Sequence, residues 1–228
     1  MARSKLILLG LVAAGLTLYL QDAQAGSIRV FVMASTSTLS DNNSFTVDAK
    51  PYKSGYAGGG KVILGGEYSL SKLLGMEGAY GYGNNNLRVT NVDTRQQIGY
   101  PVGINRVSSD LVLRSPLGMM GLRPYLLAGL EYDRLGPNSE ARTTASSEGF
   151  AGRTGALGAS NKIGANYGGG LEWSLVPLVS LRLDLRDHVM STPTYGLPSQ
   201  ASTKPIFPVS GSANDFEVAV GISIHIPH

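Results

Sequence analysis

Leu178-Val179-Ser180-Leu181-Arg182-Leu183-Asp184-Leu185-Arg186-Asp187-His188-Val189-Met190 is the stretch that decides the fold. Leu181, Leu183, Leu185 and Val189 interleave with Arg182, Asp184, Arg186 and His188, so apolar and polar side chains alternate one by one. Successive side chains of a strand point to opposite faces, whereas a two-residue repeat wound into a helix would spread over its whole circumference. The stretch is read as a strand with one apolar and one charged face.

Seven further stretches repeat the pattern: Ser27–Ser35, Gly60–Leu70, Gly75–Gly83, Ile104–Arg114, Arg123–Arg134, Ile163–Leu175 and Asn214–Ile226. Gly, Pro, Asn and Ser separate them, as expected of turns and loops. Short joins (Ser71–Leu74, Ser115–Leu122 and Val176-Pro177) alternate strictly with long ones (Thr36–Gly59, Asn84–Gly103, Leu135–Lys162 and Ser191–Ala213). A barrel threaded through a bilayer has tight periplasmic turns and long outer loops, and an even strand number returns both ends of the chain to one side. The pattern predicts an all-β, eight-stranded antiparallel up-and-down transmembrane β-barrel over residues 26–228.

Residues 1–25 are set apart from that fold. Arg3 and Lys5 precede the apolar run Leu6–Leu20, and Ala23-Gln24-Ala25 comes after it as a small-residue cleavage site. This is the order of an export signal, and the run is short of the roughly 20 residues of a spanning helix. No later stretch approaches 18 consecutive apolar residues, so a membrane would have to be crossed by strands.

One face of each strand is mostly aliphatic, with Tyr68, Tyr82, Tyr132, Tyr167 and Trp173 toward its ends, where amphipathic rings suit a membrane interface. The other face gathers Arg29, Lys61, Arg106, Arg114, Arg182 and Arg186 against Glu67, Glu77, Asp110, Glu131, Asp133, Glu172, Asp184 and Glu217. Eight strands enclose a space about wide enough for side chains to fill, so these nearly balanced charges are expected to pair in a plugged or very narrow lumen. On that assignment, Leu183→Arg should obstruct insertion far more than Arg182→Leu. A soluble lipocalin-like barrel is the alternative and would turn the charges to water, but it gives no reason for four long loops at one end.

Three segments carry a family resemblance: Tyr125-Leu126-Leu127-Ala128-Gly129-Leu130-Glu131-Tyr132 after Arg-Pro, Asn166-Tyr167-Gly168-Gly169-Gly170-Leu171-Glu172-Trp173, and Ser180–His188. They resemble the later hairpins of small bacterial outer-membrane barrels of the OmpA and OmpX type. The resemblance implies an outer-membrane protein of a two-membraned, Gram-negative bacterium, embedded in outer-membrane lipid and inserted by the barrel-assembly machinery. Members commonly end on an aromatic residue, whereas this chain ends Ile224-His225-Ile226-Pro227-His228.

Chemical motifs are sparse. With no Cys, there is no disulfide framework, thiolate metal site or cysteine nucleophile. With 19 Lys and Arg against 16 Asp and Glu scattered along the chain, no basic stripe recommends a nucleic-acid partner. Gly55–Lys61 resembles a phosphate-binding loop, but Val62 stands where Ser or Thr should hold magnesium, and the residues after Lys61 are strand-like. His188 and Ser191 raise the possibility of a lipid-modifying enzyme, yet three residues apart on a strand they fall on opposite faces. No cofactor and no metal site is expected. The expected role is structural or in surface interaction, adhesion or binding of an extracellular ligand through the Gly-, Ser-, Thr- and Asn-rich loops of a monomer. A narrow passive pore is the alternative within the same fold.

Overall fold

Alternation is carried into the backbone as nine strands. The computed structural model describes residues 26–40, 43–47, 50–116, 121–139, 141–142, 158–195 and 212–226. The strands are β1 (Ile28–Ser40), β2 (Asn43–Val47), β3 (Lys50–Ser69), β4 (Leu74–Asn91), β5 (Gln97–Arg114), β6 (Leu122–Pro137), β7 (Ser160–Val176), β8 (Val179–Ser191) and β9 (Ser212–Ile226). Each long strand pairs antiparallel with its neighbour in sequence, and β1 closes the ring by pairing with both β9 and β3. Eight strands form the wall, and β2 is a short addition that pairs only with the far end of β3. The expected eight-stranded antiparallel barrel is the fold. The export signal read at residues 1–25 lies outside the described residues.

Short connections are held by local hydrogen bonds. The Ser71 hydroxyl accepts from the backbone N–H groups of Leu73 and Leu74, closing the β3–β4 turn. Between β7 and β8 the chain turns at Pro177-Leu178 after a register shift between Ser174 and Val176.

The connections expected to be long loops are partly strand. Asn84–Gly103 consists of the upper parts of β4 and β5, which stay in register out to Thr90 and Gln97. Its turn is only Val92–Gln96, where the Asn91 side chain accepts from the N–H groups of Asp93 and Thr94 and Arg95 takes a left-handed φ of 59°. Likewise β1 runs to Ser40 and β3 begins at Lys50, inside the expected loop Thr36–Gly59. There the outer face turns polar while Leu39, Tyr100 and Val102 stay buried on the inner face, and cross-strand pairing continues. Of the expected loop Leu135–Lys162, residues 143–157 lie outside the described residues, as do residues 196–211 of the loop Ser191–Ala213.

Outward positions form an apolar belt. Leu126 is 63% exposed, Leu130 67% and Ile163 78%, and they continue around the wall through Leu183, Val220, Val32, Leu64, Met76 and Leu111. On β9 the belt runs from Phe216 to Ile226. Ten steps of about 3.3 Å at a tilt of about 40° rise about 25 Å, the apolar height of a barrel built for a bilayer. At the long-connection end the belt stops in polar residues: Thr36, Asn84, Asn105, Arg134, Asn161, Asp187 and Asn214. Aromatic rings sit beside that rim, with the Tyr80 hydroxyl donating to Asn105 and the Tyr167 hydroxyl to Asp187.

Candidate functional site

Every inward position of the eight strands faces one narrow space, and its contents are layered along the axis. At the short-turn end, Arg29 from β1 donates to Glu67 at 3.2 Å and to Ser69 at 3.1 Å. Arg114 from β5 forks onto both oxygens of Glu67 and reaches Glu172 of β7 at 2.6 Å. A planar guanidinium suits this bidentate geometry, which a lysine ammonium would not reproduce.

The middle layer centres on Arg182, 2% exposed. It meets Glu77 at 2.8 Å and Asp184 at 2.9 Å, and its guanidinium lies 4.2 Å from the centroid of the Phe31 ring and 5.0 Å from that of Tyr125. Arg186 meets Glu77 at 2.7 Å and Asp110 at 3.1 Å, and also holds Asp184 at 2.5 Å. Asn166 and Ser108 donate to Asp110, and the Tyr125 hydroxyl donates to Asp184. Small residues opposite make room for the rings. A Cβ at Gly65 would overlap Phe31, and one at Gly170 would overlap Tyr125.

The upper charged layer joins Lys61 to Asp215 at 2.8 Å and to Glu217 at 2.6 Å. Arg106 binds Asp133 at 2.7 Å and Asp215 at 3.2 Å. His188 places Nδ1 2.5 Å from Glu131. Beside it is a cavity of about 20 Å³, bordered by Lys61, Arg106, Ser108, Arg186, His188 and Glu217. It has room for one water and no larger guest.

Above the charges, Leu39, Tyr100, Val102, Ile104, Leu135, Met190 and Ala213 are all buried. Tyr195, just beyond β8, is also buried, with a left-handed φ of 50°. Its hydroxyl is 2.6 Å from that of Tyr56, and its carbonyl accepts from the N–H of Gly158. An apolar layer under a pinned tyrosine thus succeeds the ion pairs along the axis.

All twelve residues expected to form the lumen network, Arg29, Lys61, Glu67, Glu77, Arg106, Asp110, Glu131, Glu172, Arg182, Asp184, Arg186 and Glu217, are buried on the inner face. Arg114 and Asp133, expected on the same charged face, are buried there too. Asp215 is the member missed, although it lies two residues before Glu217 and therefore on the same face. With it, nine buried carboxylates (Glu67, Glu77, Asp110, Glu131, Asp133, Glu172, Asp184, Asp215 and Glu217) meet six buried cations (Arg29, Lys61, Arg106, Arg114, Arg182 and Arg186). Half-buried Lys162, paired in register with Asp133, and exposed Arg123, paired with Glu172, add two cations to the same face nearer its ends. Counted over the described inner face of the closed wall, nine carboxylates therefore meet eight cations.

His188 and Ser191 lie on opposite faces of β8, as their spacing implies: His188 is 2% exposed inside the lumen and Ser191 is exposed on the outside. Lys61, which ends the phosphate-loop-like stretch, is committed to Asp215 and Glu217 from a strand. Among the described residues no group of three or more His, Asp or Glu has the arrangement of a metal site. Every buried lumenal cation is engaged by carboxylates, so the chemistry of the buried charges is mutual neutralisation and filling.

No protein-family model matches this sequence, and no curated protein sequence matches it significantly. Solved structures do match. The outer membrane protein OprG from Pseudomonas aeruginosa superposes with a TM-score of 0.61 at 11% identity, over 90% of this chain and 98% of that one. The outer membrane protein AlkL, determined in lipid bilayers, gives 0.59 at 10% identity over 90% and 92%. Neisserial surface protein A gives 0.54 at 14% identity over 87% and 98%. The fold is shared with these proteins where sequence is not, and the chain has the fold of the small eight-stranded outer-membrane β-barrels.

Proposed function

We propose that this chain is exported by residues 1–25, and that residues 26–228 insert as a monomeric barrel in the outer membrane of a Gram-negative bacterium. The barrel-assembly machinery and outer-membrane lipid are its partners in that step. Its short turns face the periplasm, and the extensions of β3, β4 and β5 stand outside. Its role is structural or in surface binding through those extensions and loops, with no chemistry in the lumen.

One observation carries this reading: the lumen is filled along its length by ion pairs, with an apolar layer above them. A passage for solutes would need a continuous wet path, and a cavity of about 20 Å³ is a single water site. The belt, about 25 Å tall, and the likeness to a protein determined in lipid bilayers support the membrane setting. Polar strand extensions beyond the belt offer the loop end as a rigid platform for contacts.

Cell fractionation followed by gel electrophoresis with and without boiling tests the placement, and planar-bilayer recording tests the closure. The expected result is an outer-membrane band whose mobility shifts on boiling and which gives no single-channel steps. A detergent-free periplasmic protein would overturn the membrane reading. Regular conductance steps would overturn the closed lumen.

A further inference from the structure

Outward-facing cations are unevenly distributed above the belt. On the β3–β6 side, Lys53, Arg88 and Arg134 are all exposed, and none forms an ion pair with a described residue. On the β7–β9–β1 side the outward positions at the same height are Asn161, Asp187, Ser191, Ser212, Asn214, Thr36, Thr38 and Ser40, with no cation and one carboxylate.

Cross-strand register places the three cations around one surface. Tyr82, Asn105, Arg134 and Asn161 form a single row across β4 to β7, so Arg134 stands at the belt rim level with an interfacial tyrosine. Higher up, Gly55, Arg88 and Gly99 share a row, and Lys53, Thr90 and Gln97 share the next. The surface between is nearly bare. Gly99 has open space where a Cβ would be, and Asn84 is succeeded across β5 and β6 by Gly103 and Gly136. Asn84, Asn86 and Asn105 border it with amide groups, which can both donate and accept. A shallow backbone-lined patch with guanidinium groups above and below admits an anionic group closely.

We propose that this patch, Lys53–Arg88–Arg134 on the outer wall of β3–β6, binds the phosphorylated headgroup of the glycolipid surrounding the barrel in the outer leaflet. The inference rests on the membrane placement above. Direction and height identify the partner. The patch looks sideways from the wall and begins at the rim of the apolar belt, where a neighbouring lipid presents its phosphates. A soluble polyanion would meet the loop tips first. Six residues separate Arg134's row from Arg88's along β4, a rise of roughly 15 to 20 Å, so the cations span a headgroup several sugars deep.

The test uses folded barrel extracted from outer membranes and purified lipopolysaccharide, intact or with its phosphates removed, titrated calorimetrically at low salt. Removing each cation should weaken binding about 5-fold, and Lys53→Ala/Arg88→Ala/Arg134→Ala together on the order of 100-fold. Lys72→Ala, at the opposite end of the barrel, should leave it within about twofold. Arg88→Lys/Arg134→Lys should keep most of the affinity, and dephosphorylated lipopolysaccharide should bind the unaltered protein as weakly as intact material binds the triple variant. Unchanged binding by the triple variant, indifference to phosphate removal, or a loss confined to a soluble sulfated polysaccharide would overturn the proposal. Each variant is first checked for the heat-dependent gel shift. A soluble unaltered chain would remove the membrane placement as well, whereas a membrane barrel with unaltered binding would remove this inference alone.

Discussion

Arg182→Met tests whether the lumen is a dry, packed plug. Methionine keeps much of the length of the side chain and removes its charge, leaving Glu77 and Asp184 without contacts at 2.8 and 2.9 Å and two aromatic rings without the cation between them. Arg186 still reaches both carboxylates, which limits the loss. Even so, the excess of buried carboxylates over buried cations rises from three to four in a space where Arg182 was 2% exposed. Breaking a buried ion pair by removing one partner costs about 3 to 5 kcal/mol, and a desolvated cation–ring contact contributes about 2 within such totals. A loss of about 3 to 5 kcal/mol is expected, two to four powers of ten in the folded-to-unfolded ratio. The assay is equilibrium unfolding in lipid vesicles, monitored by the fluorescence of Trp173, the single tryptophan. Adding Glu77→Gln should recover about 1 to 3 kcal/mol, because the unpaired charge is then gone. A change below about 1 kcal/mol for Arg182→Met alone would refute the reasoning and mean that water, not protein, solvates the lumenal charges.

Leu183→Arg, on the lipid face one residue away, should cost about 2 to 4 kcal/mol and show itself as failed insertion in the membrane fraction, whereas Arg182→Leu should insert and then unfold more easily. The two are thus separated by readout: insertion for Leu183→Arg, as expected from sequence, and unfolding for Arg182→Leu. Gly170→Val should destabilise by several kcal/mol in the same unfolding assay because its side chain meets both the Leu183 carbonyl and the Tyr125 ring, and Tyr125→Ala in that background should restore only the share due to the ring. Tyr125→Phe, which deletes a buried hydrogen bond to Asp184, should cost about 1.5 to 3 kcal/mol. Tyr80→Phe, which deletes an exposed bond to Asn105, should cost about 0.5 kcal/mol, and equal losses would remove the distinction between lumen and rim.

Strand number, wall order and the inner or outer sense of nearly every wall residue were legible in the sequence, because a strand's period is two and a barrel wall separates two different environments. Arg182 and Leu183 are assigned by parity alone, and the structure puts them on opposite faces. Asp215 shares that parity with Glu217, so its place in the lumen was legible too, and His188, on the charged face of its strand, is buried there as that face implies. Strand ends were less legible. From Asn84 to Gly103 the outer face turns polar while Tyr100 and Val102 stay buried inside, so the apolar side of the alternation changes face and the strands run on past the end of the apolar belt.

The information that the sequence by itself determined is local: which residues alternate, where the chain turns, and therefore how many strands there are and which face each residue takes. Only the tertiary structure decided which carboxylate meets which cation. Arg114 reaches Glu67 across 47 positions, and Arg186 reaches Glu77 across 109. Those partners are set by the stagger of strands around a closed ring, and closure is a property of all eight strands at once. The patch formed by Lys53, Arg88 and Arg134 has the same origin: three cations far apart in the chain share one side of the wall because register, not sequence distance, sets their height and direction.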